Sequence, residues 1–126
     1  MRRLEGKTAI VVGAGSIGPG WGNGKATAVT FAREGAQVLC VDRNAAAAEE
    51  TVGIIASEGG QATAFTADAS HEGDIAAMVA ACLKAYGRID VLDNNVGIAE
   101  VGSVVEVTEA EWDRVFAVNQ IGRAHV

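Results

Sequence analysis

Apolar residues in this chain fall into short compact runs, each followed by a longer stretch in which they recur at helical spacing. The runs Lys7 to Val12 (KTAIVV), Ala36 to Val41 (AQVLCV), Ala62 to Ala67 (ATAFTA) and Ile89 to Asp93 predict four strands. Between them, Lys25 to Glu34, Ala45 to Ser57 and Glu72 to Tyr86 predict helices. The second of these ends at Gly59-Gly60, and its Ala45–Ala48 run reads as helix surface. The third sets Ile75, Met78, Val79, Cys82 and Leu83 on one stripe and is closed by Gly87. Thr108, with Glu111 three residues on as its capping-box partner, opens a fourth helix carrying Trp112, Val115, Phe116 and Asn119. The order βαβαβαβα, with continuous apolar strands, implies a parallel sheet covered on both faces and joined by right-handed crossovers.

Composition narrows the picture only a little. At 126 residues the chain makes one domain with a core, and 49% hydrophobic with 21% charged residues is a globular balance. The net charge is −6 and no basic cluster is present, which argues against a nucleic-acid partner. No apolar run approaches the roughly 18 residues of a membrane span, and Met1-Arg2-Arg3 leads into no secretory signal, so the expected location is cytoplasmic. Cys40 lies in a strand run and Cys82 in a helix, and both read as buried thiols of a reducing compartment.

The richest segment joins the first strand to the first helix: Gly13-Ala14-Gly15-Ser16-Ile17-Gly18-Pro19-Gly20-Trp21-Gly22-Asn23-Gly24. A strand, a glycine loop and a helix N-terminus together make an anion site, because free backbone N–H groups and the helix dipole point the same way. Gly13-x-Gly15-x-x-Gly18 fits the general dinucleotide fingerprint, but Pro19, Gly20 and Gly22 would then sit inside the helix. Starting the helix after Gly24 makes Gly13, Gly22 and Gly24 the working set, with an enlarged loop between the first two. Asp42 ends the second strand, 20 residues after Gly22, where an acid can accept hydrogen bonds from a ribose diol. Its charge favours NAD over NADP, while the adjacent Arg43 could partly accommodate a 2′-phosphate. Asp42 taken alone also reads as a solvated strand end. The fold class is therefore a Rossmann-like doubly wound parallel sheet of about four βα units, which the resemblance that follows implies is truncated.

With these residues in order, the chain resembles the N-terminal half of a short-chain dehydrogenase/reductase, over residues 5 to about 122. The family's first motif, TGxxxGxG followed by a basic residue and alanine, ends here as Gly22-Asn23-Gly24-Lys25-Ala26. Val12 replaces the family's threonine, and about five extra residues lie between the first two glycines. Among them Trp21 either covers a cofactor or substrate entrance or fills an apolar surface pocket. The family's NNAG is Asn94-Asn95-Val96-Gly97 here. The resemblance implies that Asn95, Val96 and Gly97 pass beside the adenosine ribose. It also implies that Asp68 and the N–H of Ala69 contact the adenine, although Asp68 equally reads as a cap near Ser70. Asn119 matches the asparagine of the family's catalytic tetrad, whose backbone carbonyl holds a water. The cofactor implied is NAD, with NADP second, and the substrate class is a small-molecule alcohol or ketone. Homodimers or homotetramers are implied for a full-length member, whereas this chain alone should expose apolar surface and aggregate.

The family's serine and Tyr-x-x-x-Lys pair find no match. The only tyrosine is Tyr86, and residue 90 is Asp90. The chain as given is expected to be inactive, as the dinucleotide-binding half of an oxidoreductase (residues 1–119). A truncated, non-catalytic dinucleotide-binding module is the alternative. A receiver-type signalling domain would need an acidic pair where the glycine loop stands. The last residues, Ile121-Gly122-Arg123-Ala124-His125-Val126, can be encoded by ATC GGA AGA GCA CAC GTC, which resembles the start of a common sequencing adapter. Residues 120–126 are accordingly expected to be a read-through tail, with no role for His125. His71 is expected to be exposed at a helix start.

Overall fold

The computed structural model describes residues 3–15 and 21–95. Within them lie β1 (Thr8–Val12), α1 (Asn23–Arg33), β2 (Gln37–Asp42), α2 (Ala45–Ser57), β3 (Gln61–Thr66), α3 (Glu72–Tyr86) and β4 (Val91–Asn94). The four strands are parallel in the order β3-β2-β1-β4, with Val12 paired to Val41 on one side and to Asn94 on the other. The Thr108 helix, Asn119 and the 120–126 segment lie outside the described residues.

Period-two alternation in the central strands sends side chains to two separate cores. Ile10, Val12, Leu39 and Val41 pack with Ile75, Met78 and Cys82 of α3. Val11, Val38 and Cys40 pack on the other face with Ala28, Val29 and Ala32 of α1 and Ile55 of α2. All five residues of β1 are buried, as a strand covered on both faces requires. β3 alternates exposed and half-buried residues because only one strand flanks it among the described residues.

The helices α2 and α3 have the expected bounds, and Asn44 caps α2 by accepting the Ala47 N–H. Three departures have physical causes. Helix α1 starts at Asn23 rather than after Gly24, because Gly22 is its N-cap and Gly24 is packed inside its first turn. β4 begins at Val91 because Asp90 is used differently: its carboxylate accepts the Thr8 N–H and pairs with Arg88. Leu83 is 48% exposed, since it lies at the margin of the stripe formed by Ile75, Met78, Val79 and Cys82. His71 is the exposed N-cap residue of α3.

Cys40 and Cys82 are both buried and free, on opposite faces of the sheet. Burial pushes the Cys40 thiol up to about 12 and raises that of Cys82 as well. Since the folded-state values lie above the unfolded ones, the thiol contribution to stability is intact below about pH 9 and is lost as pH rises towards 12. We therefore expect neither thiol to react with a disulfide reagent at pH 8 in the native state, and both to react once the chain is unfolded in urea. Rapid native-state labelling would mean that the sheet opens there.

Candidate functional site

The carboxyl ends of the four strands bring Gly13, Asp42, Asp68 and Asn95 to one edge of the sheet. β1 leads through α1 to β2 on one side, while β4 returns on its other side. The strand order therefore reverses between β1 and β4, where open α/β sheets form their ligand crevice.

Gly13 follows β1 with φ +82°, a left-handed conformation that a side chain would strain. Its N–H and that of Ala14 both donate to the Val41 carbonyl, at 2.8 and 3.0 Å, which turns the chain sharply over β2. Helix α1 then sits directly on this turn: a Cβ built on Gly24 would lie 1.8 Å from the Gly13 carbonyl oxygen. Gly22 has extended backbone as N-cap, and its carbonyl accepts the Ala26 N–H at 3.0 Å. The first turn of α1 carries neither a side-chain cap nor an acidic residue, and the N-terminal end of a helix favours an anion. Asn23 is exposed in that turn.

Asp42 is engaged rather than simply solvated. One carboxylate oxygen accepts the Gly15 N–H and the other accepts the Asn44 N–H, each at 2.9 Å. The carboxylate is thereby fixed between the glycine loop and the start of α2, and Arg43 beside it is exposed. Next along the edge, Asp68 accepts from both the N–H and the hydroxyl of Ser70, while its own N–H donates to Asp74. Burial works to raise the Asp68 carboxyl, but the Ser70 hydrogen bonds and the nearby His71 and Arg43 outweigh it and hold the group below its usual value. The cap near Ser70 and a place on the strand-end rim thus coexist in one residue. Ala69, buried, follows it. On the other side of β1, the Asn95 N–H donates to the Val12 carbonyl at 2.9 Å and its amide bonds to Asp93. Val96, Gly97 and Asn119 lie outside the described residues.

Two contacts had no signal in the sequence. The Thr51 hydroxyl on α2 donates to the Ala14 carbonyl at 2.9 Å and ties the glycine loop to that helix. Lys25, 3% exposed, pairs with Glu50 at 2.8 Å and lies under the Trp21 ring. Thr51 and Ala14 lie 37 positions apart and Lys25 and Glu50 lie 25 apart, with no periodicity linking either pair. Thr51→Val keeps the shape but leaves the buried Ala14 carbonyl without its donor. We expect a loss of about 1–2 kcal/mol in urea unfolding with an unchanged slope; no loss would mean the loop is not held there.

Tyr86 is at the far end of α3, where its hydroxyl hydrogen-bonds Thr63 at 2.7 Å, well before the carboxyl end of β3. Burial raises its pKa, with a smaller opposing effect from Thr63. It is away from the strand-end rim, and Asp90 rather than a lysine lies four residues on. Among the described residues, no group of three or more His, Cys, Asp or Glu side chains could hold a metal, and no helix is long and apolar enough to cross a membrane.

The model of the short chain dehydrogenase family matches residues 7–126. The chain belongs to that family. It is 43% identical over 123 residues to the uncharacterized oxidoreductase YxbG of Bacillus subtilis, covering 97% of this chain and 43% of the relative. A crystal structure of a putative short-chain dehydrogenase/reductase from Burkholderia xenovorans superposes with a TM-score of 0.94 at 41% identity, over 99% of this chain and 49% of that one. A 7α-hydroxysteroid dehydrogenase complexed with NADH and 7-oxo glycochenodeoxycholic acid superposes with a TM-score of 0.89 at 36% identity, over 98% of this chain and 46% of that one. This short-chain dehydrogenase chain thus spans a little under half the length of the relatives it matches.

Proposed function

We propose that residues 1–119 are the cofactor-binding half of an NAD-dependent short-chain oxidoreductase, which moves hydride between nicotinamide and an alcohol or ketone. The observation that carries this reading is the close seat of α1 on the Gly13 turn beside the fixed Asp42 carboxylate, at the point where the strand order reverses. This chemistry fits a dinucleotide. The backbone at Gly13, Gly22, Asn23 and Gly24 would hold the pyrophosphate with main-chain donors and helix dipole. Asp42 would accept from the ribose diol and repel a 2′-phosphate, which favours NAD; Arg43 would soften that preference. Asp68 and Ala69 would meet the adenine, Asn95, Val96 and Gly97 would flank its ribose, and the Asn119 carbonyl would hold a water in the complete site. The full-length protein would act on a small alcohol or ketone as a homodimer or homotetramer.

When bound, the nicotinamide supplies the hydride acceptor or donor, and the proton needs a separate acid or base. Nothing in the described residues near the strand-end rim fills that role, with Tyr86 bonded to Thr63 instead. Because the only tyrosine in the sequence, Tyr86, is followed four residues on by Asp90 rather than lysine, the 126-residue chain is expected to bind NAD without turning over any secondary alcohol. Calorimetric titration with NAD and NADP, beside an NADH absorbance assay on a panel of alcohols, tests both halves. Absent NAD binding defeats the reading, and protein-dependent NADH formation defeats the inactivity. The readings divide on the gene: a frame continuing into a serine and Tyr-x-x-x-Lys marks an enzyme half, while an immediate stop marks a non-catalytic binding module.

A further inference from the structure

Lys25 is a buried cation in the first turn of α1, the turn where helix dipoles disfavour positive charge. Two neighbours hold it there. Its ammonium donates to Glu50 Oε1 on α2 at 2.8 Å and lies 5.3 Å from the centre of the Trp21 indole. The pair is lopsided: the lysine side chain is 4% exposed and the glutamate 66%. Water screens the glutamate and hardly reaches the lysine, so the two charges do not cancel in their effect on a third. The strand ends carry Asp42 and Asp68, with the exposed Arg43 as a second cation. An anion arriving at the α1 N-terminus therefore meets an acidic rim and one dry positive charge within the same helical turn.

We infer that Lys25 is a positioning residue whose charge, acting through the first turn of α1, sets the affinity of the glycine loop for a nucleoside diphosphate. Trp21 keeps that charge dry, and Glu50 sets how much of it is felt. This rests on the reading of the strand-end rim as a dinucleotide site. It gives the half-exposed Trp21 a purpose distinct from touching the ligand: it roofs the ammonium.

The test is calorimetric titration of the 126-residue chain with ADP and with adenosine at low and at physiological ionic strength. Lys25→Met should weaken ADP about tenfold at both ionic strengths, the scale of one unit charge at moderate effective dielectric, and leave adenosine within about twofold. Glu50→Gln, at an exposed position that carries little folding risk, should tighten ADP about threefold and leave adenosine unchanged. Lys25→Arg should keep most of the ADP affinity. Parallel losses of ADP and adenosine would assign Lys25 to packing alone and overturn the inference, as would unchanged ADP affinity in Glu50→Gln. If the unsubstituted chain binds neither probe, the dinucleotide reading itself fails. If it binds both and the variants do not separate them, only the inference about Lys25 fails.

Discussion

Gly24→Ala is expected to destabilise the chain by about 3 kcal/mol, the upper range for forcing extra atoms into packed structure. The added methyl would lie 1.8 Å from the Gly13 carbonyl oxygen and 2.7 Å from its carbon, both backbone atoms that no rotamer change can clear. Alanine is the better helix former by about 1 kcal/mol, so propensity predicts the opposite sign. Relief needs α1 to lift away from β1, which loosens Ala28, Val29 and Ala32 against Val11 and Cys40. Urea unfolding measures the change, and NAD titration should show binding weakened at least as much as stability. A stability change within about 0.5 kcal/mol would mean that the first turn does not sit on the Gly13 loop.

The second large effect is expected at Asp42. Asp42→Ala removes the acceptor for the Gly15 and Asn44 N–H groups. Charge-assisted bonds at a half-buried position put the loss near 2 kcal/mol. For cofactor binding the same change removes the ribose acceptor and the charge that opposes a 2′-phosphate, with Arg43 left beside the site. NAD affinity should fall about tenfold or more, and the NAD-over-NADP preference should shrink by a similar factor or invert. Paired titrations with NAD and NADP separate the two roles. An equal loss for both cofactors would leave Asp42 as a loop-holding residue only.

How legible the chain was differs from element to element, and the differences are physical. The sequence marks helices α2 and α3 to the residue because their ends carry local chemistry: Gly59-Gly60 follows one, and Gly87, left-handed at φ +77°, closes the other. Sequence pattern alone sets the start of α1 two residues late, because a local scale penalises Gly24 in a helix. Its reason for being there is a neighbour 11 positions back. Sequence pattern alone starts β4 too early because apolar Ile89 looks like strand, while the Asp90 carboxylate occupies the Thr8 N–H that a ladder would use.

The sequence by itself determined the alternation of strands and helices, the parallel sheet, and the order in which Gly13, Asp42, Asp68 and Asn95 meet the ends of their strands. These follow from apolar periodicity and turn chemistry, which act over a few residues. Only the tertiary structure decided that Asp42 is held by Gly15, that Thr51 fastens the Ala14 carbonyl, and that Lys25 lies dry between Trp21 and Glu50. Each of these except the Trp21 contact joins residues 25 or more positions apart. Hydrogen bonds and ion pairs of that kind leave no periodic trace, because their geometry exists only once the sheet has brought α1 and α2 onto the same face.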